Sequence, residues 1–361
     1  MKLIIGADLV PTISNQHFFE RHMIDKIVHD ECRKFLKDAD FRIFNLEAPL
    51  VDRLTPILKS GPNLSATTKS VNGLRDLEVD AVCLANNHIM DHGQDGLDST
   101  IRALNSADIR VIGVGDNIAN MHKLEVFSSN GSEVAVYACA EHEFSIAGPF
   151  LAGANPFDPI DTIKDINTIK GKFDCVIVLY HGGKEYYRYP SPELQRNCRA
   201  LIDAGADIVL CQHSHCIGCE EKYNNGTIVY GQGNFLFDRG DDEFWNSGLL
   251  VIVEVNKGKY SITYQPVEKR ENGVNLPDET TKRKIMLEFY SRSEQIKDIE
   301  FIREEYSLFS KKMLQEWLIA IAPKESLIFR ALNKLSNNRL RTIRLKRLYN
   351  LNFFDDSIDF A

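Results

Sequence analysis

From its first residues to about position 212, the chain alternates short apolar runs, rich in Val and Ile, with amphipathic segments of helical length. Short β-branched runs of this kind are typical of strands buried on both faces. Strands that alternate with helices predict an α/β fold, in which helices pack on largely parallel sheets. The predicted strands are 2–7, 41–46, 80–85, 109–114, 133–140, 174–180 and 207–212, and the predicted helices are 17–37, 94–107, 161–170 and 191–204.

After position 212 the pattern changes. Three apolar runs follow one another through short turns, one of them Lys257-Gly258, and are predicted to be antiparallel strands. A polar stretch with Gly and Pro then separates them from a segment of helical spacing. We therefore predict two packed mixed β-sheets flanked by helices in a domain over 1–275, and a C-terminal helical, basic region over 276–361. The three runs are 226–237, 248–256 and 259–267.

Composition and charge exclude several classes of protein. With 43% hydrophobic residues the chain can bury a large core, and its net charge of −8 argues against general nucleic-acid binding. The opening MKLIIGAD has too short an apolar run for a signal peptide, and no run approaches the length of a transmembrane helix. We expect a soluble, cytoplasmic protein with no nucleic-acid partner, and its oligomeric state is left open.

The C-terminal region is strongly basic. Between positions 324 and 350 it carries eight Lys or Arg against one acid, Glu325. Two interpretations stay open. The segment is a helix that packs on the acidic domain, or it is a surface for anionic lipid or polymer, which would allow peripheral contact with the inner membrane face.

Polar side chains stand at the carboxyl ends of five predicted strands. Because ligands bind beyond these ends in α/β sheets, we expect the five clusters to meet at one sheet edge. His213 and His215 have the most informative spacing, since imidazoles at i and i+2 on extended chain point the same way, roughly 7 Å apart. They can reach two adjacent metal ions or two sides of one site. The clusters are Asp8; Asn45 and Glu47; Asn87 and His88; His181; and His213 and His215.

The residue types in these clusters indicate a catalytic metal. Oxygen and nitrogen ligands suit Mn, Fe or Zn, and the absence of thiolates argues against structural zinc. Two such ions can clamp a phosphate and activate a water. A nearby His that binds no metal can protonate the leaving oxygen, and Asn87 beside His88 offers that division of labour.

These residues, in this order, resemble the CapA (poly-γ-glutamate capsule synthesis) family of the calcineurin-like metallophosphoesterase superfamily. The similarity spans roughly residues 1–267 and rests on GAD, FNLEAPL, LANNHIMDHG, HGGKEY with Pro192 and Gln195, LIDAGADIVLCQHSH and YGQGNFLFD. It implies a four-layer αββα catalytic domain that holds divalent metal ions, expected to be two. The implied metal ligands are Asp8, Glu47, Asn87, His181, His213 and His215.

The same resemblance implies roles around the metals. His88 would be the general acid, with Asp91 assigned to the catalytic set beside it. Further residues at the strand ends are assigned to substrate or to the support of ligands. They are Asn45, Glu185, His142, Glu141 and Asn234.

Two positions depart from the superfamily pattern. The superfamily begins with Asp-x-His, whereas Val10 follows Asp8-Leu9 here, and its bridging Asp is replaced by Glu47. One metal site is therefore expected to lack a ligand. His142, near the end of the 133–140 strand, is the predicted replacement.

The sequence thus predicts a metal-dependent hydrolase that acts on a phosphoester or a related anionic cell-envelope or capsule substrate, small or polymeric. Two alternatives stay open. One is a non-enzymatic accessory protein of capsule or polysaccharide synthesis, and the other is a metal-dependent hydrolase of amide bonds such as γ-glutamyl linkages. An acid, His88, beside the ligands favours an enzyme over a binding protein.

Overall fold

The structure, a computed structural model, describes residues 1–238 and 242–320. One compact unit comprises Met1–Pro190 and Leu194–Lys297, and a second comprises Ser191–Glu193 together with the chain from Asp298 onward. The strands are β1 (Lys2–Leu9), β2 (Phe41–Leu46), β3 (Ala81–Cys83), β4 (Arg110–Ile112), β5 (Val114–Gly115), β6 (Leu124–Ser129), β7 (Ser132–Ala140), β8 (Gly153–Ala154), β9 (Cys175–His181), β10 (Ile208–Gln212), β11 (Ile217–Tyr223), β12 (Gly226–Gln232), β13 (Asn234–Leu236), β14 (Ser247–Asn256), β15 (Lys259–Arg270) and β16 (Gly273–Asn275). The α-helices are α1 (Gln16–Glu20), α2 (Asp30–Lys37), α3 (Val71–Asp76), α4 (Gly93–Asn105), α5 (Asp161–Ile169), α6 (Pro192–Ala204), α7 (Glu279–Gln295) and α8 (Ile299–Ala320).

Two mixed sheets form the first unit, as the sequence predicts. One has the order β16-β15-β14-β1-β2-β3-β4, in which β1 to β4 are parallel and β14 to β16 antiparallel. The other has the order β11-β12-β10-β9-β7-β6, with a parallel centre and antiparallel edge strands. A two-stranded sheet pairs β5 with β8.

The inner faces of the two sheets share one hydrophobic core, and two buried glutamines cross it. Gln212 Nε2 on β10 donates to the Gly6 carbonyl on β1 at 3.2 Å and to Gln232 Oε1 at 3.1 Å. Gln232 Nε2 donates to the Ile5 and Leu249 carbonyls, each at 3.1 Å. Because buried amides need partners, these bonds fix how the ends of the two sheets face each other.

Two predicted elements were wrong. The segment 17–37 is not one helix, because residues 27–29 pair with Val274 of β16, leaving α1, a 3₁₀ turn and α2. The run 226–237 is not part of an antiparallel meander. Gly231 and Gly233, with φ of 103° and 70°, carry the chain from β12, parallel to β10, into β13, parallel to β1.

The hairpin of β14 and β15 does have the predicted turn. Lys257 and Gly258 both have positive φ (50° and 75°), the backbone that a two-residue hairpin requires. The edge strands β6 and β11 were not predicted, because each is half-polar and gains its strand conformation from a neighbour.

Helix α7 packs on the sheets of the first unit. Its buried Arg292 donates to the Gly218 and Ile217 carbonyls of β11, at 2.8 and 3.1 Å. This helix lies beyond the domain boundary predicted near 275, and the first unit extends to Lys297.

In the part of the chain that the structure describes, no helix is both long and apolar enough to cross a membrane. The basic segment 324–350, with its two interpretations, lies outside the described residues.

Gly6 on β1 allows the two central strands of the first sheet to pack. A Cβ at this position would lie 2.1 Å from the ring of Phe44, which is fully buried and packs on Phe235. We expect Gly6→Ala to lower the free energy of unfolding by about 1–3 kcal/mol, the usual cost of overpacking, in a denaturant titration. Gly148→Ala is the control, since its nearest neighbour would lie at 3.6 Å, and it should change stability by no more than about 0.5 kcal/mol. Equal losses in the two variants would contradict this account of Gly6.

Candidate metal centre

The carboxyl ends of four strands from both sheets meet at one place. Asp8 stands near the end of β1, Glu47 directly follows β2, His181 ends β9, and the loop after β10 carries the two other histidines. They form two groups of ligand atoms, each group with all its atoms within 4.8 Å of one another. Glu47 belongs to both groups. The groups are Asp8, Glu47 and His215, and Glu47, His181 and His213.

Buried polar atoms without hydrogen-bond partners show that the site fits cations. Both carboxylate oxygens of Glu47, Oδ2 of Asp8 and Nδ1 of His213 are buried without a hydrogen-bond partner among the described residues. Buried carboxylates are costly unless a cation or donors meet them. The donor set of carboxylate, amide and imidazole suits a divalent transition metal. These residues therefore fit a pair of ions with Glu47 between them.

Three asparagines support the ligands. Asn87 Oδ1 lies 3.0 Å from His181 Nε2, in reach of the second group. Asn45 Nδ2 donates to Asp8 Oδ1 at 2.8 Å, and Asn234 Oδ1 lies 3.0 Å from His215 Nδ1. Such outer contacts orient a ligand and fix which ring nitrogen is available.

The backbone at His213 and His215 is not the extended chain that the sequence predicted. His213 and His215 have φ of 92° and 55°, so they lie in a left-handed loop rather than on extended chain. Their ring centroids are nevertheless 6.2 Å apart, and each belongs to a different group. Left-handed backbone at residues other than Gly is uncommon and concentrates at functional sites.

Val10, at the position where the superfamily carries His, is part of an apolar cluster. It is buried against Ala48, Phe237 and Trp245. Trp245 in turn stacks on His215, with ring centroids 4.2 Å apart. The group of Asp8, Glu47 and His215 therefore has an apolar wall on this side.

His142 does not fill the missing position, which corrects the prediction. Its side chain is exposed and it belongs to neither group. Its neighbour Glu143 instead approaches His213, with Oε1 3.6 Å from Nε2. The register of a strand end places a residue along the chain, but it does not fix where a side chain points once the strand has ended.

Two other predicted residues, Glu141 and Glu185, lie near the ligand groups but belong to neither. Glu141 accepts from the Tyr180 hydroxyl at 3.2 Å and is in neither group. Glu185 is half-buried, and its negative charge raises the pKa values of Glu47 and His215.

His88 and Asp91 form a buried pair outside both ligand groups. His88 Nδ1 lies 2.6 Å from Asp91 Oδ2, and the His88 backbone N–H donates to Asn86 Oδ1 at 3.1 Å. The imidazole of His88 acts electrostatically on Glu47 and His181, so the pair adjoins the ligands. The roles predicted for His88 and Asp91 remain predictions.

Sequence reasoning missed two residues here. Asn86 donates to Asn45 Oδ1 at 3.1 Å and to the Leu46 carbonyl at 2.9 Å, which ties the turn after β3 to β2. The Asn86-Asn87 doublet was the available signal. Lys59 pairs with Asp91, and nothing in its sequence surroundings marks it, because only the folded loop buries its side chain.

Burial and neighbouring charges raise the pKa values of two candidate ligands and lower those of two others. Burial, with the charge of Asp8, raises the pKa of Glu47 to about 8. Burial would lower the pKa of His215, but the charges of Glu47 and Asp8 outweigh it and raise that pKa to about 9. Burial lowers the pKa of His181 to about 4 and, with the charge of His181, that of His213 to about 3. At neutral pH, His181 and His213 are thus neutral, whereas an ion that binds Glu47 and His215 must compete with protons for this pair.

We expect metal affinity at the group of Asp8, Glu47 and His215 to rise as pH rises from about 6 to about 9. The raised pKa values of Glu47 and His215 keep protons on this pair at neutral pH, and the ion must displace them. Binding at neutral pH should therefore release protons. Calorimetric titration with Mn²⁺ in buffers of different ionisation enthalpy measures this release. A pH-independent affinity without proton release would contradict the assignment of these two ligands.

The fold and the site together define a class of protein: a two-sheet α/β sandwich with a candidate two-metal centre at the ends of its strands. The model of the family described as "Bacterial capsule synthesis protein PGA_cap" matches residues 5–239. The match covers more than half of the chain, and the chain belongs to this family. The resemblance to CapA proteins predicted from the motifs is thereby confirmed.

Two relatives of the chain are named CapA. The chain is 33% identical to the capsule biosynthesis protein CapA of Bacillus anthracis, over 66% of this chain and 60% of that protein. It is 29% identical to the PGA biosynthesis protein CapA of Bacillus subtilis (strain 168), over 58% of this chain and 56% of that protein. Among solved structures, the NAD nucleotidase of Haemophilus influenzae has a TM-score of 0.45 at 13% identity, over 81% of this chain and 63% of that chain. The alignments thus span 60% or less of the length of the two CapA proteins.

Proposed function

We propose that the protein is a metal-dependent hydrolase that acts on a phosphoester or a related anionic substrate of the cell envelope or capsule. One observation carries the proposal: the fully buried carboxyl group of Glu47 belongs to both ligand groups, and neither of its oxygens has a hydrogen-bond partner. A bridging carboxylate between two ions is the arrangement that suits an in-line displacement at phosphorus.

When bound, a pair of divalent ions would polarise a phosphoryl oxygen and generate a nucleophile from water at neutral pH. Asp8, Glu47 and His215 would hold one ion, and Glu47, Asn87, His181 and His213 the other. Mn, Fe and Zn all suit these ligands.

His88 would supply the proton for the leaving oxygen. Its Nδ1 faces Asp91 at 2.6 Å, which leaves Nε2 for the substrate. A carboxylate on one ring nitrogen fixes the orientation of the ring and stabilises its protonated form. His88 is outside both ligand groups, which supports this separate role.

The place of this reaction in capsule synthesis is proposed from the family. The related proteins of the two Bacillus species are named for capsule and PGA biosynthesis. A hydrolase in such a system would act on an anionic precursor or on the polymer itself. Membrane contact through the basic C-terminal region and a cytoplasmic location stay part of this proposal.

The test is turnover by the metal-loaded protein on three substrate classes: aryl phosphomonoesters, bis-aryl phosphodiesters and γ-glutamyl amides. Hydrolysis of a phosphoester that disappears on chelation and returns with Mn²⁺ is the expected result. If the protein hydrolysed only the γ-glutamyl amides, the proposed reaction would be amide hydrolysis instead of phosphoester hydrolysis. Metal binding without turnover of any class would favour the accessory protein over the enzyme.

A further inference from the structure

The loop between β2 and α3 holds the turn that carries Asp91. The Ile57 backbone N–H donates to the Asp91 carbonyl at 2.9 Å, and the Leu64 N–H donates to Asp91 Oδ2 at 2.6 Å. The same loop buries the side chain of Lys59, which is 2% exposed.

The ammonium of Lys59 has three neighbours. It forms an ion pair with Asp91 Oδ1, lies 3.2 Å from His88 Nδ1, and lies 5.4 Å from the centroid of the Phe144 ring. A lysine is seldom buried unless a charge meets it, and Asp91, itself fully buried, is that charge. Each of the two thus keeps the other in place.

We propose that Lys59 is a positioning residue of this site, which fixes the carboxylate of Asp91 and, through it, the ring of His88. The inference rests on the proposed function, in which His88 serves the leaving group. An ammonium group can only donate, and the shorter contact of His88 Nδ1 is the one with Asp91 Oδ2. Nδ1–H therefore donates to one oxygen of Asp91, while Lys59 meets the other.

Lys59 is not a docking group for an anionic substrate. Its side chain is almost fully enclosed and its charge is already met by Asp91. Its effect on the reaction must therefore pass through the pair of Asp91 and His88 that it contacts. That dependence can be measured.

Lys59→Met keeps the apolar stem and removes the charge. We expect it to lower kcat about 10–100-fold on an alkyl phosphate, whose leaving group needs a proton, with KM and metal content unchanged. On p-nitrophenyl phosphate, which needs no proton, the loss should be much smaller. Lys123→Met is the matched control, since Lys123 pairs with Asp165 at 2.9 Å away from the site and should leave both rates unchanged.

A double-mutant cycle separates positioning from a general structural effect. In an Asp91→Asn background, Lys59→Met should cause no further loss, because residues that act through one contact are not additive. Three results would each overturn the proposal: additive losses, equal losses on both substrates, or loss of metal in parallel with rate.

A crystal structure of Lys59→Met tests the same idea without turnover. The contact between His88 Nδ1 and Asp91 Oδ2, 2.6 Å here, should lengthen beyond hydrogen-bond distance, or the ring should adopt a second rotamer. An unchanged contact and ring would refute the role of Lys59. If wild-type protein hydrolysed no phosphoester, the proposed function would fail while this structural test of Lys59 still stood.

Discussion

Glu47→Gln should remove both metal ions from the protein with one substitution. Glu47 is the residue that the two ligand groups share, and an amide cannot bridge two cations as a carboxylate does. Elemental analysis of the reconstituted variant should show little metal, and kcat/KM should fall by on the order of 10³-fold or more, because each ion supplies several kcal/mol of transition-state stabilisation. The metal-free variant should be no less stable than metal-free wild type, since an uncharged amide replaces a buried carboxyl group whose oxygens have no hydrogen-bond partner.

Two variants serve as controls for Glu47. His213→Ala removes a ligand of one group only, so it should lose one ion and keep the other, with the fold largely intact. Glu141→Gln changes a carboxylate that contacts Tyr180 and belongs to neither group, so it should keep both ions. If Glu47→Gln retained two ions, the bridging assignment would be wrong.

His88→Ala should keep the metal and lose rate by on the order of 10²–10⁴-fold, the usual contribution of a general acid. The ring of His88 pairs with Asp91 and joins neither ligand group, so its removal leaves the candidate ligands in place. The loss should be largest for alkyl leaving groups and smallest for p-nitrophenolate. Rates on a series of leaving groups, with metal content measured in the same samples, test this division of labour.

A parallel loss of metal and rate in His88→Ala would make His88 a ligand rather than an acid. A loss of equal size across the leaving-group series would also reject the acid role. Asn87→Ala provides the contrast, because Asn87 lies 3.0 Å from His181 and is assigned to the metal.

The sheets and most of the site follow from local sequence. Buried parallel strands must be short, apolar and β-branched, so β1, β2, β9 and β10 could be predicted along the chain. Polar residues directly after such strands have to meet at one edge, which is why Asp8, Glu47 and His181 could be placed together.

Features that depend on distant pairing could not be predicted. The predicted helix is interrupted at residues 27–29, because these residues pair with Val274, which is distant in sequence. The prediction for His142 failed because the chain leaves its strand at Ala140, beyond which register no longer determines side-chain direction. Nothing in the local sequence marks Lys59, because only the folded loop buries its side chain beside Asp91.

We propose above all that Glu47 bridges two metal ions. Anomalous diffraction from crystals of the protein reconstituted with Mn²⁺ or Zn²⁺ tests it most directly. We predict two peaks roughly 3.5–4 Å apart, one beside Asp8 and His215 and the other beside His181 and His213, with Glu47 between them. A single peak that does not touch Glu47, or none at full reconstitution, would contradict the account.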